Sequence, residues 1–166
     1  MYCLGSKGRR ELLHCRLDTR DDDLRRRRCD QSNGHPRWHV AKLSNSHETL
    51  WGVALPSSSE SRATACALDA RGDLVIGGSF LTDVKLAPTS PVHIGSGTFV
   101  AKYRGNSGEL AWRTFGSGET TVQALSSDSV GRSTALYQLT DEDVTIGGTL
   151  YPADSGPNML LVQYAP

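Results

Sequence analysis

One strand-turn-strand pattern recurs along this chain at nearly constant spacing, and that recurrence restricts the fold more than any other feature. "GTFVAKYRGNSGELAWRTFG", residues 97–116, alternates apolar and polar residues, turns at a glycine and alternates again. A looser version, "WHVAKLSNSHETLWGVAL", lies upstream: Val40 and Val100 open "VAKL" and "VAKY" sixty residues apart, and Trp51 and Trp112 are sixty-one apart. A third version, "LLVQY" at 160–164, follows "FVAKY" at 99–103 by sixty-one. "LVIGGSF" ending at Phe80 resembles "VTIGGTL" ending at Leu150, and "ACALDARGD" at 65–73 resembles "VQALSSDSVG" at 122–131. Several matches at one period predict an internal repeat.

The period-two alternation predicts strands, and no long segment holds the helical period. The unit reads as "TACALD" (64–69), "DLVIGGSF" (73–80), a proline-containing loop, "TFVAKYR" (98–104) and "ELAWRTFG" (109–116). The paired glycines Gly77 and Gly78 predict a bulge or a close backbone approach. "GNSG" supplies a turn in which Asn106 and Gly108 tolerate positive φ. In the later unit, "RSTALYQLTDED" reads as extra material ahead of the second glycine pair. A four-stranded sheet of this size cannot bury both faces alone, so the units are expected to stack on one another.

The residues Asp69, Gly72, Gly78, Phe99, Lys102, Tyr103, Gly108, Trp112, Phe115 and Gly116 together resemble the long bacterial-type β-propeller repeat known as the SBBP repeat, over residues 37–164. The resemblance implies consecutive four-stranded antiparallel propeller-type blades in an incomplete ring. It assigns a strand pair to 37–56, a full blade to 63–116 and a partial blade to 121–164, within a partial propeller over 37–166. The resemblance further implies a non-enzymatic module with a structural or protein- or glycan-binding role, extracellular or on the cell surface, and part of a larger protein. It carries no fixed catalytic residues. Expected partners are further blades, copies of the same chain, or a protein or glycan ligand. The alternative is the propeller portion of a quinone-dependent dehydrogenase, because "SGELAW" is similar to that type's glycine-tryptophan repeat; its catalytic centre would lie elsewhere.

Ahead of this region, residues 1–36 are dominated by charge. Ten basic and six acidic side chains in residues 1–39 face eight basic and twelve acidic ones in 40–166, although the whole chain balances at eighteen of each. Low apolar content predicts a mostly disordered segment, with a frayed helix around Glu11–Arg16. Arg25–Arg28 lack interleaved aromatics, so nucleic acid is not an expected partner. No apolar run has the length of a membrane span, and the first fifteen residues hold no signal-peptide core.

No constellation of chemistry-bearing residues emerges, and no catalytic, cofactor-binding or metal-binding residue is expected. Asp69 and Asp73 flank "ARG" and read as tight-turn residues, lacking the alternating oxygen ligands of a calcium loop. Arg71-Gly72-Asp73 spells an adhesion tripeptide that would need an exposed tip. Asp141, Glu142 and Asp143 read as a solvated loop. Cys15, Cys29, His35 and His39 lack the close cysteine pair of a zinc finger. Ser57–Ser59 have no activating base at a recognisable spacing. His93 has no evident partner. Cys66, one of four cysteines, reads as a small apolar core residue, and Tyr103 and Trp112 as core aromatics.

Overall fold

The computed structural model describes residues 2–4, 12–17, 37–44, 46, 48–56, 58, 61–140, 142–152 and 158–166. The fold is all-β. Strands β1 (Tyr2–Leu4), β2 (Leu12–Leu17), β3 (Arg37–Leu43) and β4 (Thr49–Pro56) form a first antiparallel sheet in chain order. The second sheet contains β5 (Ser61–Leu68), β6 (Leu74–Phe80), β9 (Gly97–Tyr103), β10 (Leu110–Gly116), β13 (Val144–Ile146) and β14 (Thr149–Tyr151), in the order β14-β13-β10-β9-β6-β5. The third runs β11-β12-β15, from Thr120–Ser127, Ser133–Leu139 and Asn158–Tyr164. A small hairpin joins β7 (Asp83–Val84) to β8 (His93–Ile94).

Alternation along the strands feeds two cores. In the first, Val40 and Leu55 of the first sheet meet Leu74, Ile76, Phe99 and Tyr103 of the second, all fully buried, with Trp51 and Val53 packed against them. In the second, Val75 and Val100 of the central sheet meet Val122, Ala135 and Tyr137 of the third. The central sheet is therefore apolar on both faces, as a sheet covered on both sides must be. Tyr103 keeps its phenol satisfied inside the first core by donating to the Leu86 carbonyl at 2.7 Å.

The expectations of propeller-type blades and of a repeated sheet unit are both overturned by the sheets themselves, which among the described residues hold four, six, three and two strands and close no ring. Two local causes account for the inequality. The strand pair over 37–56 is extended by β1 and β2, with Leu13 opposite Lys42 and Leu17 opposite Trp38. Strand occupies Leu12–Leu17 where a frayed helix was expected, because pairing with the distant β3 satisfies its backbone. The hairpin β13–β14 leaves the third sheet and bridges to β10 of the second through Gly116 opposite Ile146. The remainder of the charged front segment, including Arg25–Arg28, lies outside the described residues.

The glycine pairs explain the misreading of the later unit. Gly77 and Gly78 lie inside extended β6, opposite a bulge in β5 between Ala63 and Ala65. A Cβ on Gly78 would fall 1.9 Å from the Arg62 carbonyl oxygen. Gly147 and Gly148 instead form the β13–β14 turn, with φ of 59° and 85°. The strand that corresponds to β6 is β12, drawn from the stretch that reads as an insertion. It forms the centre of the third sheet, and its Ala135 and Tyr137 fill the second core.

The close approach at Gly78 yields a paired test. Gly78→Ala is expected to destabilise the fold by about 2 kcal/mol through overpacking against fixed backbone. Gly52→Ala, whose new methyl would meet nothing nearer than 3.9 Å, should stay within about 0.5 kcal/mol. Denaturant melts of both variants check this.

Candidate interaction surface

The densest polar arrangement is internal. Lys102, on β9 and only 4 % exposed, places its Nζ 2.9 Å from Asp69 Oδ2 and 3.9 Å from Asp73 Oδ2. The same ammonium donates to the Gly131 carbonyl at 3.0 Å, in the β11–β12 turn of the third sheet. Asp69 Oδ1 accepts from the backbone N–H of Arg71 at 2.8 Å and of Asp73 at 3.0 Å, folding the β5–β6 turn around the carboxylate. Asp73 Oδ1 accepts from the Gly105 N–H at 2.8 Å. Burial pushes the Asp69 pKa upward, but the Lys102 ammonium and the two N–H donors outweigh it and hold the carboxyl below its usual range.

A matching interaction joins the first two sheets. Lys42 Nζ and Trp51 Nε1 both donate to the Gly105 carbonyl at 3.0 Å. In the third sheet, Asp128 repeats the turn geometry of Asp69, accepting from Val130 N at 3.0 Å and Arg132 N at 2.9 Å. Gln163 occupies the position sixty-one residues after Lys102. Asp128 pairs instead with its own turn, through Arg132 Nε at 2.6 Å.

These contacts place the acidic residues as turn and sheet-joining groups. The Asp73 carboxylate of the Arg-Gly-Asp tripeptide is engaged with Gly105. Among the described residues, no group of three or more His, Cys, Asp or Glu side chains is arranged to hold a metal ion. Glu142 and Asp143 are exposed, and Asp141, Ser57, Ser59, Cys29 and His35 lie outside the described residues. The dehydrogenase alternative loses its propeller with the sheet count, and no catalytic cluster appears in the described residues to replace it. No helix of the described residues is long and apolar enough to cross a membrane.

Two expectations need correction at single residues. His93 has partners: its ring stacks on Phe115 at 3.8 Å and 8°, with Phe80 edge-on at 5.6 Å. Burial and the nearby Arg113 lower its pKa. Cys66 packs against the first core but is also disulfide-bonded, so it is more than a small apolar filler. Contacts of this kind carry no periodic signal in the sequence.

The third sheet supplies the open surface. Its inner face carries Leu160, Val162 and Tyr164 against the second core. Tyr164 also exchanges a 2.6 Å hydrogen bond with the Tyr137 hydroxyl, and burial raises both phenols' pKa values. Alternation turns Met159 and Leu161 outward, where they are 57 % and 67 % exposed. Leu136 lies opposite Leu161 and Gln138 opposite Met159. Gln123 donates to Gln138 at 2.6 Å beside them. The outer strip is thus apolar or amide, without formal charge. Strand β15 pairs with β12 on one side and with no other described strand on the other. On the inner face Trp112 packs on Tyr164 with ring centroids 5.3 Å apart, and its buried Nε1 has no hydrogen-bond partner among the described residues.

No protein-family model matches the chain, and comparison with curated proteins finds no match. The resemblance to the SBBP repeat is therefore carried neither by a family match nor by the sheet arrangement.

The buried ion pair is directly testable. Lys102→Met should cost about 3–5 kcal/mol, because it strands the Asp69 charge. Since the native Asp69 pKa is lowered, its stabilising contribution is present above the ordinary value of 3.8 and is lost as pH falls through the native value. Acid titrations of folding should show this loss in the native chain and a weaker one in Lys102→Met.

Proposed function

We propose that this chain is a non-catalytic all-β scaffold that works by protein–protein association, with copies of the chain meeting through the outer side of its third sheet. The observation that carries this reading is the uncharged strip around Met159 and Leu161, with both side chains more than half exposed. Large contiguous apolar exposure on a folded surface marks an interaction site more often than chance decoration. Leu81, Val92 and Ile94 are also exposed, but they flank a hairpin of two-residue strands rather than lying along a seven-residue strand. A balanced charge, with sequence pI near 7.0, leaves little net repulsion to oppose association.

The non-catalytic part of the reading rests on the commitment of Lys102, Asp69 and Asp73 to one another and to backbone groups, which leaves none of them presented to a substrate. The Cys66 disulfide favours an oxidising compartment and supports an extracellular setting.

Light scattering across a concentration series tests the proposal. The native chain is expected to rise above its monomer mass of 18.0 kDa as concentration increases. Met159→Ser combined with Leu161→Ser should remain at the monomer mass while keeping its far-ultraviolet circular dichroism. A native chain that stays monomeric throughout, or a double variant that associates equally well, would contradict the proposal.

A further inference from the structure

The segment between β6 and β9, residues 81–96, is held unequally along its length. Its first limb is anchored in the first core, where Val84 and Leu86 are buried and Tyr103 donates to the Leu86 carbonyl at 2.7 Å. Its returning limb, residues 91–96, is exposed at every residue except His93. Val92 is 49 % exposed and Ile94 82 %. Strand β8 pairs with β7 over two residues, and the Gly95 N–H donates to the Thr82 carbonyl at 2.8 Å. A pairing that short is marginal by itself. The side chain that turns inward from this limb is the His93 imidazole, stacked 3.8 Å from Phe115 and met edge-on by Phe80.

We propose that His93 is a pH-sensitive latch: the neutral ring pins residues 91–96 against Phe115, and the protonated ring releases them, uncovering Phe115 and Phe80. This inference is independent of the association described above. Two features of the geometry suit the neutral ring. The imidazole lies flat on Phe115, at 8° between planes, where an imidazolium would lose hydration against an apolar face. The attraction of the Phe115 ring for a cation is already engaged by Arg113, whose guanidinium carbon sits 5.8 Å from the ring centroid. A proton on His93 therefore gathers two positive charges around one ring.

The charged groups on the surrounding elements do not offset this. On β10 the charge that bears on His93 is Arg113, which opposes protonation. β6 contributes Phe80, between the uncharged Ser79 and Leu81. On β7, Val84 is opposite His93, whereas Asp83 is opposite Ile94 and so lies on the other side of the hairpin. The Asp83 carboxylate accepts from the Ser58 N–H at 2.8 Å and from the Thr82 hydroxyl at 3.1 Å. Lys85, just beyond β7, is itself cationic. Burial and Arg113 hold the imidazole below its ordinary value of 6.5, so its contribution is full above that pH and is lost as pH falls through the native value. Gly95, at φ 123° with open space around it, gives the released limb a pivot ahead of β9. Release joins Phe80 and Phe115 to the exposed Leu81, Val92 and Ile94 in one apolar surface.

Hydrogen exchange of the full chain, read by mass spectrometry at about pH 7.5 and about pH 5 and corrected for intrinsic exchange, tests the latch. This range stays above the carboxylate region in which the Asp69 pair is lost. Protection of residues 91–96 is expected to fall several-fold at the lower pH, while β6 and β9 keep theirs. His93→Phe preserves a flat ring on Phe115 and takes up no proton, so its protection should be the same at both pH values. In nuclear magnetic resonance, the His93 ring of the native chain should titrate below 6.5. Equal protection of residues 91–96 at both pH values in the native chain would overturn the inference. So would an acid-induced loss that persists in His93→Phe, which would assign the effect to another group. A native His93 midpoint at or above 6.5 would overturn it without recourse to any variant.

Discussion

The arrangement depends on one buried charge. Lys102 stands between two apolar cores, where an unpaired ammonium would be prohibitive. It is tolerated because Asp69 lies 2.9 Å away and the Gly131 carbonyl accepts a further hydrogen bond. Asp69 is in turn held by the N–H groups of its own turn. The β5–β6 turn, strand β9 and the β11–β12 turn are thereby tied at a single point. Such a pair adds little net stability compared with an apolar substitute, but loss of either member is costly. Its structural value lies in register. Sliding β9 by one residue would move Lys102 to the opposite face and put Tyr103 where the charge must be. Lys42 makes the analogous connection to Gly105 between the first and second sheets, with Trp51 donating to the same carbonyl.

Much of the local structure was legible. The alternation in "FVAKY" and "ELAWRTFG" and the glycine turn between them correspond to β9 and β10, whose partners include Phe99 opposite Phe115. The sixty-residue spacing of "VAKL" and "VAKY" places Lys42 and Lys102 at equivalent positions of β3 and β9. The assembly of strands into sheets was not legible, and the glycines show why. A Gly-Gly pair is equally compatible with extended backbone beside a bulge and with a positive-φ turn, so the motif could not distinguish β6 from the β13–β14 hairpin. Aligning on it concealed β12. The pairing of β2 with β3 was hidden in another way, since the charge around it outweighed a short alternating stretch whose stabilising partner lies more than twenty residues on.

The buried ion pair was partly visible. Asp69 and Asp73 announced a turn, and Lys102 fell on one face of an alternating strand, but nothing in the spacing required them to meet. The stacking of His93 on Phe115 and the bond from Tyr103 to Leu86 depend on where the 81–96 loop folds back. Such irregular loops leave no periodic trace. The same limitation applies to the association surface. Alternation identifies Met159 and Leu161 as outward residues only once β15 is known to be an edge strand. The two ends of the account are nevertheless connected: the interaction that seats the third sheet on the second also fixes which side of β15 faces solvent.

The most direct test of that central interaction is nuclear magnetic resonance of the lysine ammonium groups in chain labelled with nitrogen-15. The account expects a Lys102 ammonium signal that persists near neutral pH through slow exchange with water and correlates with the Asp69 carboxyl carbon. A Lys102 signal that exchanges as rapidly as that of an exposed lysine, with no correlation to Asp69, would contradict it.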